Sequence, residues 1–549
     1  MAVQAGNVRA GHFALSLAVA PAYRQFAAGL GDPESVQRQL LAQLLKAVAR
    51  AHGNRFRVDA GWRWEDFTRH VPVTTWQDWQ LAVDAQLHEK RRLLVDSPVV
   101  RYQPTSGSTS AIKLVPYTKR FLGELDAAIA PWLGDLYRQY PAIRGGRHYW
   151  SVSWLPNTLR ERFRADLNDD MQLLAAGKRW LAARTQSVPQ ETSLADTSDG
   201  SLFATLAFLA ADERLGMLSV WSPTFGLALL ERLAVWRDPL AVCLTTGEWP
   251  RGFGEFGDLA CPRSPRAASL LRGWNGQQDP EFFRALWPAL ALVSAWDTAA
   301  AAPWADALRA RLPHTAFQGK GLWATEGVVT IPFRNEHVLA YRSHVYEFED
   351  ADTGRICAPW ELQAGQSVIP LLSTGSGLLR YRMNDVLEVG RKMGEVPTLR
   401  FLGRNDGVDL AGEKISTAVA QKVLATLGAQ HGLRPLTLLA AHDAGNGRPG
   451  YLLLAEAADA RARIPETRVA AELEQALLAH FHYRLARDLG QLAPARVVVR
   501  DDMQLQYVRM RQAAGMIEGN VKVEALTAWR RPLPPALALP AETALQVCA

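Results

Sequence analysis

A chain of 549 residues with 48% hydrophobic and 21% charged side chains has the make-up of an ordinary globular protein. That composition excludes disordered and fibrous classes and leaves room for two to four domains of roughly 150 residues each. Its 61 basic and 55 acidic side chains leave a net charge of +6, interspersed and not gathered into a stripe, so no nucleic-acid partner is expected. Four scattered cysteines, Cys243, Cys261, Cys357 and Cys548, form no CxxC pair, which argues against a disulfide framework or a structural zinc site and for a reducing cytoplasm.

Along the chain, the stretch 13–19 is apolar apart from Ser16 and is followed by Ala20. It has the outline of a signal peptide, but it is short and only Arg9 closely precedes it, so export is not expected. Asp32 followed by Pro33 reads as an N-cap with proline at the first helical position, and Leu40, Leu41, Leu44, Leu45 and Val48 recur at helical spacing until Gly53. From Asn54 to about Arg404, strand-like runs such as 291–294 and 367–372 alternate with helical stretches, as a large mixed α/β domain requires. No run reaches the roughly 20 apolar residues of a membrane helix. The best stretch, 202–221, is interrupted by Asp212, Glu213 and Arg214, and no membrane association is expected.

After Gly403 the pattern becomes a compact set: a helix near 415–427, strands near 436–441 and 451–455, a helix over 465–489 and a strand at 496–500. It reads as a small α/β domain. The Pro/Ala-rich tail 532–540 reads as irregular, and no internal repeat is visible.

Three stretches carry candidate chemistry. Thr105-Ser106-Gly107-Ser108-Thr109-Ser110-Ala111-Ile112-Lys113 is a hydroxyl-rich loop with an early glycine and a late lysine. Such a loop suits a polyphosphate, because glycine lets the backbone approach, N–H groups and hydroxyls donate to phosphate oxygens, and lysine adds a charge. It is not a Walker A loop, and by itself such a run is more often a solvated loop. Gln318-Gly319-Lys320-Gly321-Leu322-Trp323-Ala324-Thr325-Glu326-Gly327 sets a hydroxyl beside a carboxylate. Glu326 is a candidate for magnesium, which needs only one or two carboxylates besides phosphate; the bland reading is an exposed pair at a strand end. Leu379-Arg380-Tyr381-Arg382-Met383-Asn384-Asp385 and Phe401-Leu402-Gly403-Arg404-Asn405-Asp406 follow. A carboxylate such as Asp385 can accept both hydroxyls of a ribose, and Arg404 can offset local negative charge, although each alone is a turn with an ordinary ion pair. His480 and His482 stand two apart on a predicted helix and make a poor metal pair.

Taken in order, the TSGST-type loop, the ATE, the YRxxD and the FxGRxD are the successive motifs of adenylate-forming enzymes. Within that superfamily the chain resembles the GH3 acyl-acid amido synthetases over residues 105–116, 287–296, 318–332, 343–348, 381–385 and 403–414, spread across nearly its whole length. The resemblance implies an α/β protein with a large N-terminal mixed domain of the adenylate-forming type, residues 1–404, and a smaller mobile C-terminal α/β domain, residues 405–549. It implies that Thr105, Ser106, Gly107, Ser108, Thr109 and Lys113 grip the phosphates of ATP, that Ala324, Thr325 and Glu326 face phosphate and magnesium, that Asp385 holds ribose, and that Asp406 is the hinge. Lys522, in Gly519-Asn520-Val521-Lys522, resembles the lysine that reaches the reacting centre. Two departures stand out, Ala111 where a glycine is frequent and Asn384 in place of the usual glycine before Asp385.

The implied reaction is adenylation of a carboxylic acid followed by transfer of the acyl group to an amine such as an amino acid, with no obligatory protein partner. The alternatives are a thiol acceptor, coenzyme A or a carrier protein, and a catalytically weak nucleotide- or acid-binding protein. Tryptophans 154, 221, 287 and 296 read as packing residues, any of which could line the acyl pocket.

Overall fold

The computed structural model describes residues 5–51, 53, 55–104, 113–151, 154, 176–404, 407–408, 410–411, 413, 415–442, 444, 448–459, 461–488, 490–514, 516, 521–535 and 537. The chain forms two compact units, one of Met1–Asp297 with Ala305–Phe401, the other of Thr298–Trp304 with Leu402–Ala549. Among the described residues, no helix is long and apolar enough to cross a membrane.

The first unit opens with helices α1 (Ala5–Ala28), α2 (Pro33–Ala49), α3 (Trp64–His70) and α4 (Trp76–Glu89). Asp32 caps α2 as its sequence predicts, accepting from the Ser35 amide at 3.1 Å, and Leu41, Leu44, Leu45 and Val48 are buried on one face. The apolar run 13–19 lies inside α1, where Leu15 and Val19 are buried while Phe13 and Leu17 face outward. Strands β1 (Val99–Pro104) and β2 (Leu114–Thr118) pair antiparallel, with Pro104 opposite Leu114. Helix α5 (Lys119–Gln139) follows, capped by Thr118, whose hydroxyl accepts from the Phe121 amide and donates to the Gly375 carbonyl.

Four short strands, β3 (Arg147–Trp150), β4 (Leu215–Ser219), β5 (Leu292–Ala295) and β6 (Ala316–Gly319), make a wholly parallel sheet in that order. Trp150 pairs with Ser219, Ser219 with Ser294 and Ala295 with Gly319, so the carboxyl ends of all four strands lie along one edge. In open α/β sheets this edge is where ligands are received.

The chain then becomes antiparallel. Strands β7 (Trp323–Ala324) and β8 (Gly327–Val328) form a tight hairpin. Strands β9 (Thr330–Phe333), β10 (Glu336–Leu339), β11 (Val345–Asp350), β12 (Ile356–Cys357), β13 (Ser367–Ser373), β14 (Tyr381–Arg382), β15 (Asp385–Met393) and β16 (Val396–Arg404) build one sheet, ordered β12-β11-β13-β15-β16-β10-β9 with β14 paired to β13. It shares a core with α1, α2 and α5 through Phe26, Leu45, Phe121 and Phe333.

In the second unit, β17 (Gly407–Val408) and β18 (Ile415–Ser416) pair and lead into helix Thr417–His431. Strands β19 (Leu433–Ala441), β20 (Gly450–Ala457), β21 (Arg496–Val499) and β22 (Leu526–Trp529) form a sheet ordered β21-β20-β19-β22 over its own core. The single helix expected over 465–489 is instead two, Glu466–Leu478 and Phe481–Asp488. Val469, Leu473 and Leu477 share one face, but Tyr483 falls out of phase with them. The break turns Tyr483 inward against the Tyr451 ring, 5.8 Å away, with its hydroxyl on Glu474 at 2.9 Å.

Candidate active site

Thr325 and Glu326 are the two residues of the turn between β7 and β8, closed by pairing of Ala324 with Gly327. Two tyrosine hydroxyls fix this turn from different elements. Tyr381 donates to Glu326 Oε1 at 3.3 Å, and Tyr117 donates to the Thr325 carbonyl at 3.1 Å. Tyr381 opens the YRxxD stretch, and Asp385, half-buried, begins β15 four residues later. Tyr117 lies on β2, whose other end follows Lys113, also half-buried. Tyr381 of the YRxxD stretch and Tyr117, on the strand that follows the hydroxyl-rich loop, therefore both meet this turn. Thr105, Ser106, Gly107, Ser108 and Thr109, with Ala111, lie outside the described residues, as does Asp406.

Beneath the turn, His344 Nε2 accepts from the Val328 amide at 3.2 Å, so its hydrogen sits on Nδ1, which donates to Glu124 Oε2 at 3.0 Å. A Cβ on Gly327 would come within 3.0 Å of that imidazole, which is why the residue after Glu326 carries no side chain. The same carboxylate oxygen of Glu124 accepts from the Gly375 amide at 2.8 Å.

Arginines on and beside β14 meet glutamates of β11. Arg380 grips Glu347 through two bonds of 2.8 Å, and Arg382 grips Glu349 through bonds of 2.7 and 2.9 Å. Arg380 adopts a left-handed backbone, φ 47°, a strained state for a residue with a Cβ, and spends its remaining nitrogen on the carbonyls of Thr68 and Val71. Burial raises the Glu347 carboxyl above its usual range, and Arg380 opposes that rise. Stretches 343–348 and 380–385, separate signals in the sequence, are thus one clamp that sets Tyr381 against Glu326.

Along the carboxyl edge of the parallel sheet, Trp132, Trp150, Trp221 and Trp323 line a narrow cavity of about 20 Å³ together with His148 and Lys320. Lys320, 7% exposed, donates to Ser219 Oγ at 2.8 Å. Gly319 and Gly321 flank it because a Cβ at either would strike Asp297 or the Thr330 carbonyl. Of the tryptophans weighed in sequence, Trp221 lines the cavity, whereas Trp287 is buried in the core with its indole N–H on the Leu209 carbonyl at 2.7 Å. Trp154 donates to the Ala195 carbonyl, and Trp296 meets Trp221 edge-on. Sequence reading missed Trp132, Trp150 and Trp323 as lining residues and left Lys320 without a role; the glycines on either side of Lys320 were the one local signal.

Two neutral histidines back the cavity. The His12 and His148 rings are tilted by 36° to each other, with centres 4.2 Å apart. His12 Nε2 donates to the Gly146 carbonyl at 2.7 Å and Nδ1 accepts from Tyr137 at 2.9 Å. Burial lowers the His12 pKa to about 4 and pushes His148 well below its usual value.

In the second unit, Arg404 pairs with Glu524 at 3.2 Å, and the Lys522 carbonyl accepts from Tyr507 at 3.3 Å. Arg404 and the segment bearing Lys522 are therefore joined within that unit; Gly519 and Asn520 lie outside the described residues.

Among the described residues, no group of three or more His, Cys, Asp or Glu could hold a metal by itself. Glu326 is a single half-buried carboxylate with acceptor capacity beyond its bond to Tyr381. That donor set fits magnesium, which takes one or two carboxylates and completes its shell with phosphate oxygens and water.

Comparison with known proteins gives the family and the fold. Residues 22–317 match the GH3 family N-terminal domain and residues 337–404 the GH3 family central domain. No curated protein sequence matches the chain. Among solved structures, a GH3.15 acyl acid amido synthetase is similar with a TM-score of 0.74 and 16% identity, over 95% of this chain and 94% of that one. A second, the AtGH3.15 acyl acid amido synthetase in complex with 2,4-DB, is similar with a TM-score of 0.77 and 17% identity, over 94% of each chain. The fold is shared from end to end, and with more than half of its length matched by the family's N-terminal domain, this chain belongs to the GH3 family.

Proposed function

We propose that this chain is an ATP- and magnesium-dependent ligase that adenylates a carboxylic acid and transfers the acyl group to an amine, such as an amino acid, to form an amide. The observation that carries the reading is the convergence of the β1–β2 hairpin and β14 on the Thr325–Glu326 turn through Tyr117 and Tyr381. Membership of the GH3 family and the acyl acid amido synthetases among its structural relatives support it.

In this reading a carboxylate oxygen attacks the α-phosphorus of ATP, the bond to the bridging oxygen breaks, and pyrophosphate leaves. The amine nitrogen then attacks the acyl carbon, a C–N bond replaces the acyl–phosphate bond, and AMP and a proton depart. Both reactants of the first step are anions, so the site must supply positive charge and hold them in line. Segment 105–109 and Lys113 hold the phosphates with Ala324 and Thr325, Asp385 takes the ribose hydroxyls, and Glu326 is the carboxylate ligand for magnesium. When bound, magnesium neutralises phosphate charge as it develops. Tyr381 and the clamp behind it keep Glu326 aimed. Lys522 is the catalytic lysine and Asp406 the hinge in this reading, and Arg404 fixes the segment that carries Lys522 through Glu524. A cytoplasmic location accords with Cys243, Cys261 and Cys357 being free thiols.

Acid-dependent exchange of labelled pyrophosphate into ATP tests the first step. Exchange is expected only with both acid and magnesium present, and a chelator should abolish it. No exchange with any of a broad set of aryl, indole and fatty acids would refute the reading. Mass analysis with mixed acceptors tests the second step, where an amide is expected and a thioester in its place would point to the thiol acceptor.

A further inference from the structure

The turn that carries Thr325 and Glu326 is too short to hold its own place. Strands β7 and β8 have two residues each, and an isolated hairpin of that kind is marginal in water without packing from outside. Its support enters at Val328, both of whose backbone groups are taken by side chains of one segment, 343–346. The Val328 amide donates to His344 Nε2 at 3.2 Å, and its carbonyl accepts from the Tyr346 hydroxyl at 2.6 Å. Gln37 of α2, fully buried, fixes that segment in turn, donating to the His344 carbonyl at 2.8 Å and accepting from the Tyr346 amide at 2.9 Å.

Because a backbone amide only donates, Nε2 has to be the unprotonated nitrogen, and the hydrogen on Nδ1 goes to Glu124 Oε2 at 3.0 Å. The same oxygen receives the Gly375 amide at 2.8 Å, and the other oxygen pairs with Arg120 at 3.2 Å. Gly375 lies between β13 and β14, on the stretch leading to Tyr381, which bonds Glu326 from the other side. Phe121 lies against the imidazole with ring centres 5.5 Å apart, and the bare Gly327 leaves room for it. One oxygen of Glu124 thus joins two routes to Glu326. The first runs through His344 and Val328 into β8, the second through Gly375 to the tyrosine that touches the carboxylate.

We propose that His344 is a positioning residue for the magnesium ligand: with Glu124 it registers the Thr325–Glu326 turn against Tyr381 and so sets the affinity of the site for the cation. This rests on the function proposed above. A carboxylate that has to be ordered when the cation arrives loses affinity to that ordering, whereas a carboxylate already held in place does not. His344 itself touches neither nucleotide nor metal in this reading, so its removal should separate cation affinity from turnover.

The test uses the full chain and two measurements. One is the magnesium dependence of pyrophosphate exchange; the other is binding of manganese(II) with the unreactive α,β-methylene analogue of ATP, followed by electron paramagnetic resonance. His344→Leu should raise the half-saturating concentration of either cation by roughly tenfold or more, with the exchange rate at saturating magnesium within about threefold of wild type. His344→Gln, whose amide oxygen reaches the place of Nε2 and restores the bond from Val328, should recover most of that loss. Leucine leaves the Val328 amide buried and unbonded, so that variant is expected to melt lower and is assayed below its transition. Should it not fold, Glu124→Ala takes its place, with Glu124→Gln as the conservative partner that recovers affinity.

A cation dependence that ignores position 344, with exchange intact, overturns this inference and leaves the ligase standing. An equal loss of turnover in the leucine and glutamine variants, at unchanged cation affinity, also overturns it and leaves His344 a packing residue. Cation binding that depends on His344, with no exchange for any acid, keeps the positioning role and overturns the ligase. No cation-dependent binding of the nucleotide by wild type overturns both.

Discussion

Two regions of the large unit surround buried charge with different groups. Between β11 and β14, guanidinium and carboxylate close on each other, Arg380 on Glu347 and Arg382 on Glu349. At the carboxyl edge of β3–β6, Lys320 is set among indoles and a serine hydroxyl. A charge-matched clamp is complete without a ligand and fixes the strands that carry Tyr381 and Asp385. The cation on the ring-lined wall is held by a hydroxyl and by ring faces. The first arrangement ties together strands through opposite charges, and the second sets a charge against apolar ring faces.

Breaking the clamp should produce the largest effect on stability. Arg380 and Glu347 have side chains 6% and 3% exposed, so Glu347→Ala strands a buried guanidinium and should lower unfolding free energy by about 3–5 kcal/mol in urea titration. A loss below about 1 kcal/mol would mean that the clamp is not what holds the strands. Next in size, Glu326→Ala and Lys522→Ala should each reduce exchange by about 100- to 1000-fold, or about 2.7–4 kcal/mol, with the thermal transition nearly unchanged. Wild-type exchange in both would discredit the roles assigned to them.

The aromatic region has its own stability test, in pH. His12 is neutral in the fold, with a pKa of about 4 against 6.5 for an unburied imidazole. Between those values the unfolded chain binds the proton and the fold does not, so this contribution is complete above pH 6.5 and is lost as pH falls toward 4. At about 1.4 kcal/mol per pKa unit the loss is on the order of 3 kcal/mol, with His148 acting in the same direction. His12→Gln should flatten the pH dependence of the melting temperature across that window; an unchanged slope would place the acid sensitivity elsewhere. The smallest effect links the regions: Tyr381→Phe removes one hydrogen bond to Glu326 and should cost about 0.5–1.5 kcal/mol in kcat/KM, with little change in melting. A loss as great as that of Glu326→Ala would make Tyr381 more than an aiming group.

Local features were legible before any coordinates. The start of α2 follows from Asp32 and Pro33, and its buried face from the spacing of four apolar residues, because a helix cap and an amphipathic stripe depend on neighbours within a turn or two. The ATE and YRxxD stretches were readable as motifs because their residues are contiguous. The break after Leu478 was not readable, since it is imposed by Tyr451 on another strand. Nor was the clamp, because Glu347 and Arg380 stand 33 residues apart and each resembles an ordinary surface charge.

The sequence by itself determined the α/β class, the family likeness and the residues nearest the proposed chemistry, all of which are encoded in short runs. Only the tertiary structure decided which rings and charges share a space. His12 reaches Tyr137 across 125 residues, Trp132 reaches Gln318 across 186, and Tyr117 reaches Thr325 across 208. Burial and hydrogen-bond partnership across such separations are set by how elements pack, which no local pattern records. For that reason Glu326 could be named from its motif, while the place of Lys320 beside four tryptophans on one cavity could not.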